Sequence, residues 1–190
     1  GEDGRPLVDG TVRRLAGDAT VDRRGIKRDF ASLTVGSGGA AVLLRRSTGS
    51  GPRLLGGVCR ADTSAHELCV GGGAGQGELS MATDAEALLE AGLGLARETW
   101  AGFAAEHGAD WDRVVTHQVG RAHHQRLLAD LGLDPSSAAV TFDRFGNVGS
   151  VSLPLTLSIA REEGFVQDTH RVALLGIGSG LNCMMMGVGE

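Results

Sequence analysis

Three polar segments of this chain have the residue types needed to hold a negatively charged oxygen. His117 follows the apolar run Val114-Val115-Thr116, and Asn147 lies within Gly146-Asn147-Val148-Gly149-Ser150. The third segment, Gly178-Ser179-Gly180, follows the run from Val172 to Leu175. A neutral imidazole and a carboxamide can each donate a hydrogen bond to a developing oxyanion. A glycine turn lets backbone N–H groups come close to such an oxygen with no Cβ in the way. Polar residues just beyond the carboxyl ends of strands are the usual site positions of open α/β sheets. The three segments together read as a candidate acyl-chemistry site. Taken singly, each also suits a structural role, and Gly176-Ile177-Gly178-Ser179-Gly180 opens onto a strand rather than onto a phosphate-binding helix.

The elements that must carry these residues alternate in type. Ala87, Leu88, Ala91, Leu95, Ala96, Thr99, Trp100 and Phe103 recur at three and four, with Thr83-Asp84 as the cap and His107-Gly108 as the stop, which predicts a helix. Gly92 and Gly94 weaken it by about 1 kcal/mol each relative to Ala, so close packing on another backbone is expected there. A strand at 113–116, a helix from Arg121 to Leu131 and a short extended piece at Val140-Thr141-Phe142 follow. A second helix runs through Ile159 to Glu163, with Pro154 in its first turn. Strands from Arg171 to Gly176 and from Leu181 to Val188 close the chain. Upstream, residues 40–46 read as a buried strand that pairs with Leu54–Val58 in an antiparallel hairpin spanning 35–60. The pattern is α/β, a mixed sheet covered by helices. Residues 1–30 form a charged helix and loop segment ahead of a domain at 31–190. Its arginines (Arg13, Arg14, Arg23, Arg24, Arg28) alternate with aspartates, so a solvated face is expected, with a phosphate-meeting surface as the other reading.

Composition narrows the choices. Eighteen Lys and Arg against 23 Asp and Glu give a net charge of −5, which argues against nucleic-acid binding. Hydrophobic residues at 42% and charged residues at 22% exclude wholesale disorder. Thirty-one glycines, against about 13 at ordinary usage, point to tight turns and close backbone approaches. The chain has no apolar run long enough to span a membrane and no signal-peptide pattern, so a cytoplasmic protein is expected. Cys59, Cys69 and Cys183 fit neither a metal pattern nor a disulfide framework, and buried structural thiols are expected. His123 and His124 lack metal-ligand spacing and read as exposed helix surface; no metal site is expected. Met184-Met185-Met186 reads as core filler, and Gly71–Gly77, with no lysine in the P-loop position, as a mobile loop.

In order, His117-Gln118-Val119, Gly146–Ser150 and Leu174–Asn182 resemble the C-terminal half of a thiolase-fold condensing enzyme of the type III 3-oxoacyl-acyl-carrier-protein synthase group. His66-Glu67-Leu68-Cys69-Val70-Gly71 and Gly178-Ser179-Gly180-Leu181-Asn182 are similar to the bacterial olefin-pathway thiolases, which join two fatty acyl-CoA molecules head to head. The resemblance runs over nearly the whole chain and implies a Claisen-condensing acyltransferase. His117 and Asn147 would hold the carbonyl oxygen of the second thioester, and the backbone N–H groups at Gly178 and Ser179 the other oxyanion. His66, Glu67 and Cys69 would line an acyl or pantetheine tunnel. No cofactor is implied, coenzyme A thioesters being substrates.

In that family a cysteine at the start of a buried helix, on the N-terminal half, takes the acyl group. This sequence matches only the second half, and none of its three cysteines opens a helix whose positive end would lower its pKa. No nucleophile is therefore assigned in this chain, Cys69 being the least implausible. The expected partners are an N-terminal half carrying the cysteine, a second thiolase-fold subunit in a homo- or heterodimer, and acyl-CoA or acyl carrier protein. The chain starts without Met, so a fragment or a processed chain is an expectation too. Two alternatives stay open: a non-catalytic partner that shapes the acyl tunnel and the dimer, and a 3-oxoacyl synthase III of fatty acid or polyketide synthesis.

Overall fold

A computed structural model describes residues 1–47, 49–74 and 78–190. Helices α1 (Arg5–Gly17) and α2 (Arg23–Leu33) come first, then strands β1 (Arg53–Ala61), β2 (Cys69–Ala74) and β3 (Glu78–Thr83). Helix α3 (Ala85–His107) leads to β4 (Arg113–Thr116), α4 (Arg121–Leu131), β5 (Ala138–Ala139), α5 (Phe142–Phe145) and α6 (Ser152–Glu162). Strands β6 (Val172–Gly178) and β7 (Asn182–Gly189) close the fold.

The main sheet has the order β1-β7-β6-β4-β5. Strands β6, β4 and β5 run parallel, whereas β7 is antiparallel to both of its neighbours. Strand β4 has neighbours on both sides and helices over both faces, so Val114, Val115 and Thr116 are all buried. The period of two sorts its neighbours. Val114, Ala173 and Leu175 join Leu95, Ala96, Phe103 and Leu128 of α3 and α4, while Val115, Val172 and Leu174 join Ala160 of α6.

Helix α3 forms as its periodicity predicts. The Asp84 carboxylate accepts the Ala87 N–H at 3.1 Å, and Gly108, at φ +83°, ends the helix. Gly92 approaches a side chain rather than a backbone: a Cβ there would stand 3.2 Å from Cδ1 of Ile177, and Gly94 has no comparable neighbour.

Several expectations are corrected. Residues 40–46 are neither strand nor buried: Val42, Leu43 and Leu44 are 70%, 92% and 81% exposed. No backbone hydrogen bond ties this stretch to another element among the described residues, because β1 takes β7 as its partner instead of closing a hairpin with 40–46. The extended piece expected at 140–142 is displaced to Ala138–Ala139, and Phe142 starts a short helix. Residues 71–74 of the expected glycine loop are strand, paired with β3, and residues 75–77 lie outside the described residues. So do the side chains of Arg23, Arg24 and Arg28.

Of the three cysteines only Cys183 is buried; Cys69 is half-buried and Cys59 is exposed on the edge strand β1. Strand alternation likewise exposes Met184 while Met185 is buried in the core. His124 is buried rather than exposed, its Nδ1 lying 3.1 Å from the Thr116 hydroxyl.

Phe103 is fully buried and stacks on Trp111 at 5.1 Å. Phe103→Ala should therefore cost about 3–5 kcal/mol in urea unfolding. Leu43→Ser, on the exposed stretch, should stay within about 0.5 kcal/mol of the parent.

Candidate oxyanion site

Parallel pairing decides where the three predicted segments go. Thr116 pairs with Leu175, and Val115 with Ala139, so β6, β4 and β5 end at the same edge of the sheet. His117 begins where β4 ends, and its N–H donates to the Leu175 carbonyl at 2.8 Å. Gly178 lies two residues past the level of His117 on the neighbouring strand, roughly 7 Å along it. Asn147 lies eight residues beyond β5, past α5, on the arm that leaves that strand. His117 belongs to the middle of the three strands, with Ser179 beyond the end of one neighbour and Asn147 beyond the end of the other.

Asn147 is gripped by backbone from far away in sequence. Its N–H donates to the Thr34 carbonyl at 2.9 Å, and its carbonyl accepts the Gly36 N–H at 2.8 Å. This contact needs two glycines. A Cβ on Gly36 would fall 1.8 Å from the Phe145 carbonyl oxygen, and one on Gly146, which sits at φ +66°, would fall 2.6 Å from the Thr34 carbonyl oxygen. The side chain is oriented as well. Its Oδ1 accepts the Gly149 N–H at 3.0 Å, which leaves Nδ2 as the donor that faces outward from that bond. Glu2 anchors the far side of the loop, accepting the Ser150 hydroxyl at 2.6 Å and the Ser150 N–H at 3.3 Å. Both bonds hold the Glu2 carboxyl below the usual carboxylate range.

His117 is half-buried, and no side-chain partner engages its ring nitrogens among the described residues. Burial, with a smaller effect from the neighbouring His123, pushes its pKa down to about 4. The imidazole is therefore neutral near pH 7 and carries one N–H donor. His123 is itself half-buried and depressed by desolvation, so the exposed reading fails for both members of the His123-His124 pair.

The glycine turn has a different setting. Gly178 and Ser179 are exposed, the Ser179 carbonyl accepts the Asn182 side-chain amide at 3.2 Å, and no described partner takes the Ser179 N–H. Asp62 and Leu181 exchange backbone hydrogen bonds at 2.9 and 2.7 Å. The 3₁₀ turn Thr63–Leu68 is thereby held at the same sheet edge, with His66 and Glu67 exposed on it and half-buried Cys69 at its end.

Neither cysteine nearest this edge has the setting of an activated thiol. Cys69 follows a 3₁₀ turn, and burial pushes the Cys183 thiol up rather than down. Among the described residues no group of three or more His, Cys, Asp or Glu could hold a metal ion, and no helix is long and apolar enough to cross a membrane.

The sequence reading passed over two buried polar residues here. Gln118, next to His117, is fully buried and completely hydrogen-bonded. Ser152, the first residue of α6, is fully buried, and its hydroxyl has no hydrogen-bond partner among the described residues. A polar residue directly after a candidate catalytic histidine was the only available sign of the first; nothing in the pattern marked the second.

A parallel β6-β4-β5 core with an imidazole, an amide and a glycine turn at its carboxyl edge is the C-terminal half of a thiolase fold. Residues 104–188 match the family 3-Oxoacyl-[acyl-carrier-protein (ACP)] synthase III C terminal. The chain is 37% identical, over 98% of its length, to 56% of the Acyl-CoA:acyl-CoA alkyltransferase of Shewanella oneidensis. It is 28% identical, over 76% of its length, to 46% of the Beta-ketoacyl-[acyl-carrier-protein] synthase III of Bordetella petrii. A crystal structure of Xanthomonas campestris OleA with bound lauric acid and lauroyl-CoA superposes with a TM-score of 0.84 at 30% identity, covering 100% of this chain and 56% of that one. The chain thus spans about half the length of the curated relatives it matches.

Two measurements check this geometry. Gly36→Ala must displace the Asn147 arm and should lower stability by about 1–3 kcal/mol in thermal unfolding. Gly39→Ala, with open space around its Cβ, is the matched control and should change little. In an NMR titration the His117 ring should show a midpoint near 4. Because the unfolded imidazole binds its proton first, the stability that depends on neutral His117 is full above about pH 6.5. It is lost as pH falls from there toward 4.

Proposed function

We propose that this chain supplies the His/Asn oxyanion site of a Claisen-condensing acyltransferase that acts on long fatty acyl thioesters, of the olefin or β-lactone type. A cysteine nucleophile would come from a segment equivalent to the N-terminal part of its relatives. The observation that carries the reading is a pair of uncommitted donors at one sheet edge: the neutral His117 ring and Nδ2 of Asn147, whose Oδ1 is already engaged.

The cysteine thiolate attacks the first acyl-CoA and releases CoA as its thiolate. A base outside the described site takes a Cα proton from the second acyl-CoA. The enolate oxygen accepts hydrogen bonds from His117 and Asn147, and backbone N–H groups at Gly178 and Ser179 receive the oxyanion of the acyl-cysteine. The enolate carbon then forms the new C–C bond, and the C–S bond to cysteine breaks to restore the thiolate. A histidine fits the enolate role best when neutral, because a charged imidazolium would titrate with pH and would be costly to bury. His66, Glu67 and Cys69, on the 3₁₀ turn at this edge, are proposed to line the path of the acyl or pantetheine chain.

The acyl-CoA reading is preferred over a carrier-protein one because the match to acyl-CoA:acyl-CoA alkyltransferases spans 98% of the chain, against 76% for the Bordetella petrii synthase III. The test is to purify the chain with whatever polypeptide accompanies it, supply lauroyl-CoA, and follow CoA release and condensed product by mass spectrometry. His117→Ala and Asn147→Ala should each lower kcat by about 10²–10³-fold. Full turnover by both variants would remove these roles.

A further inference from the structure

Gln118 is fully buried, and every hydrogen-bonding position of its amide is occupied. Its Nε2 donates to the Thr116 carbonyl at 2.9 Å and lies 3.4 Å from both the Thr116 hydroxyl and the Ala139 carbonyl. Its Oε1 accepts the N–H groups of Thr141 and Phe142 at 2.8 and 3.2 Å. One side chain thus joins the end of β4, the end of β5 and the start of α5. Three residues past the last of those contacts α5 ends, and two further on stands Asn147.

Both proposed donors are tied to this junction. His117 is the residue before Gln118, and Asn147 is carried by the short helix whose first N–H groups Gln118 receives. The opposite side of the Asn147 arm is held by Thr34 and Gly36. Below the amide, the Thr141 and Thr156 hydroxyls share a hydrogen bond at 2.6 Å, and the Thr116 hydroxyl is paired with His124. These threonine hydroxyls therefore have partners besides Gln118, whereas the amide's other bonds serve the junction.

We infer that Gln118 is a positioning residue that sets the separation of His117 and Asn147 by stapling the β4 end to the β5–α5 junction. This inference rests on the proposed roles of those two residues. Gln118→Met keeps the volume but leaves two carbonyls and two N–H groups without the amide. Gln118→Glu keeps the shape: as the neutral acid it retains one donor and the double acceptor, whereas as the carboxylate it turns an oxygen toward the Thr116 and Ala139 carbonyls.

The test compares both variants with the parent, each as the full chain together with its companion polypeptide, using lauroyl-CoA. Since an ångström-scale misplacement can cost about 10²-fold, Gln118→Met should lose roughly that factor in kcat with KM changed less than about two-fold. Gln118→Glu should be restored toward the parent at acid pH and fall as pH rises, while the parent shows no such limb. A folded Gln118→Met with parental kcat, or a Gln118→Glu profile that follows the parent at every pH, overturns the inference. Should Gln118→Met not fold, the Gln118→Glu profile decides.

Should the parent fail to condense lauroyl-CoA, the functional reading fails by itself. The positioning role is then read by NMR from the full chain with Gln118→Glu. At alkaline pH the His117 ring and Asn147 amide signals should move away from parental positions and return on acidification. Signals that stay parental throughout overturn the role.

Discussion

The parallel pairing of β4 between β6 and β5 is the constraint on which the remaining structure depends. Because Thr116 is level with Leu175 and Val115 with Ala139, the three connections that leave these strands start from one edge. A one-residue slip of β4 would turn Val114 and Val115 toward the opposite faces and move His117 with them. The two core clusters resist such a slip, since each alternate residue of β4 is buried against a different set of helices. Hydrophobic burial on both faces therefore fixes the position of a polar residue that takes no part in it.

Around that edge, the chain uses backbone contacts where side chains would be too loose. Asn147 has its main-chain N–H and C=O bonded to the Thr34–Gly36 segment, and its side-chain oxygen bonded two residues on. The bonds leave the carboxamide with one orientation and its Nδ2 group without a partner among the described residues. Gly36 and Gly146 are the condition for this grip, because any Cβ there would occupy the space of a carbonyl oxygen. His117 is treated differently: burial and the nearby His123 keep its ring neutral, so it carries an N–H donor without a charge.

Much of the fold was legible in the sequence because it rests on local signals. Helix α3 showed its cap, its three-and-four period and its glycine stop, and the observed boundaries follow them. Strands β4, β6 and β7 were likewise visible as short apolar runs between turn residues. The failures came where a local signal required a partner the sequence could not name. Residues 40–46 look like a buried strand by composition, yet burial is a property of what lies on top, and here Leu43 and Leu44 face outward. Cys59 and Met184 were assigned to the interior for the same reason, but strand alternation at positions near the sheet edge turned both outward.

What the sequence by itself determined was the identity of the candidate donors and their order along the chain, since an imidazole, a carboxamide and a glycine turn can be recognised by residue type alone. Tertiary structure alone decided the meeting of their strands at one edge, the depressed pKa of His117 and the placing of the Asn147 arm. The strand edge and the Asn147 arm rest on segments more than 30 residues apart: the Leu175 carbonyl that accepts the His117 N–H, and the Thr34–Gly36 backbone against Asn147. Hydrogen bonds and desolvation act across space, and a linear pattern carries no record of which distant backbone will supply them.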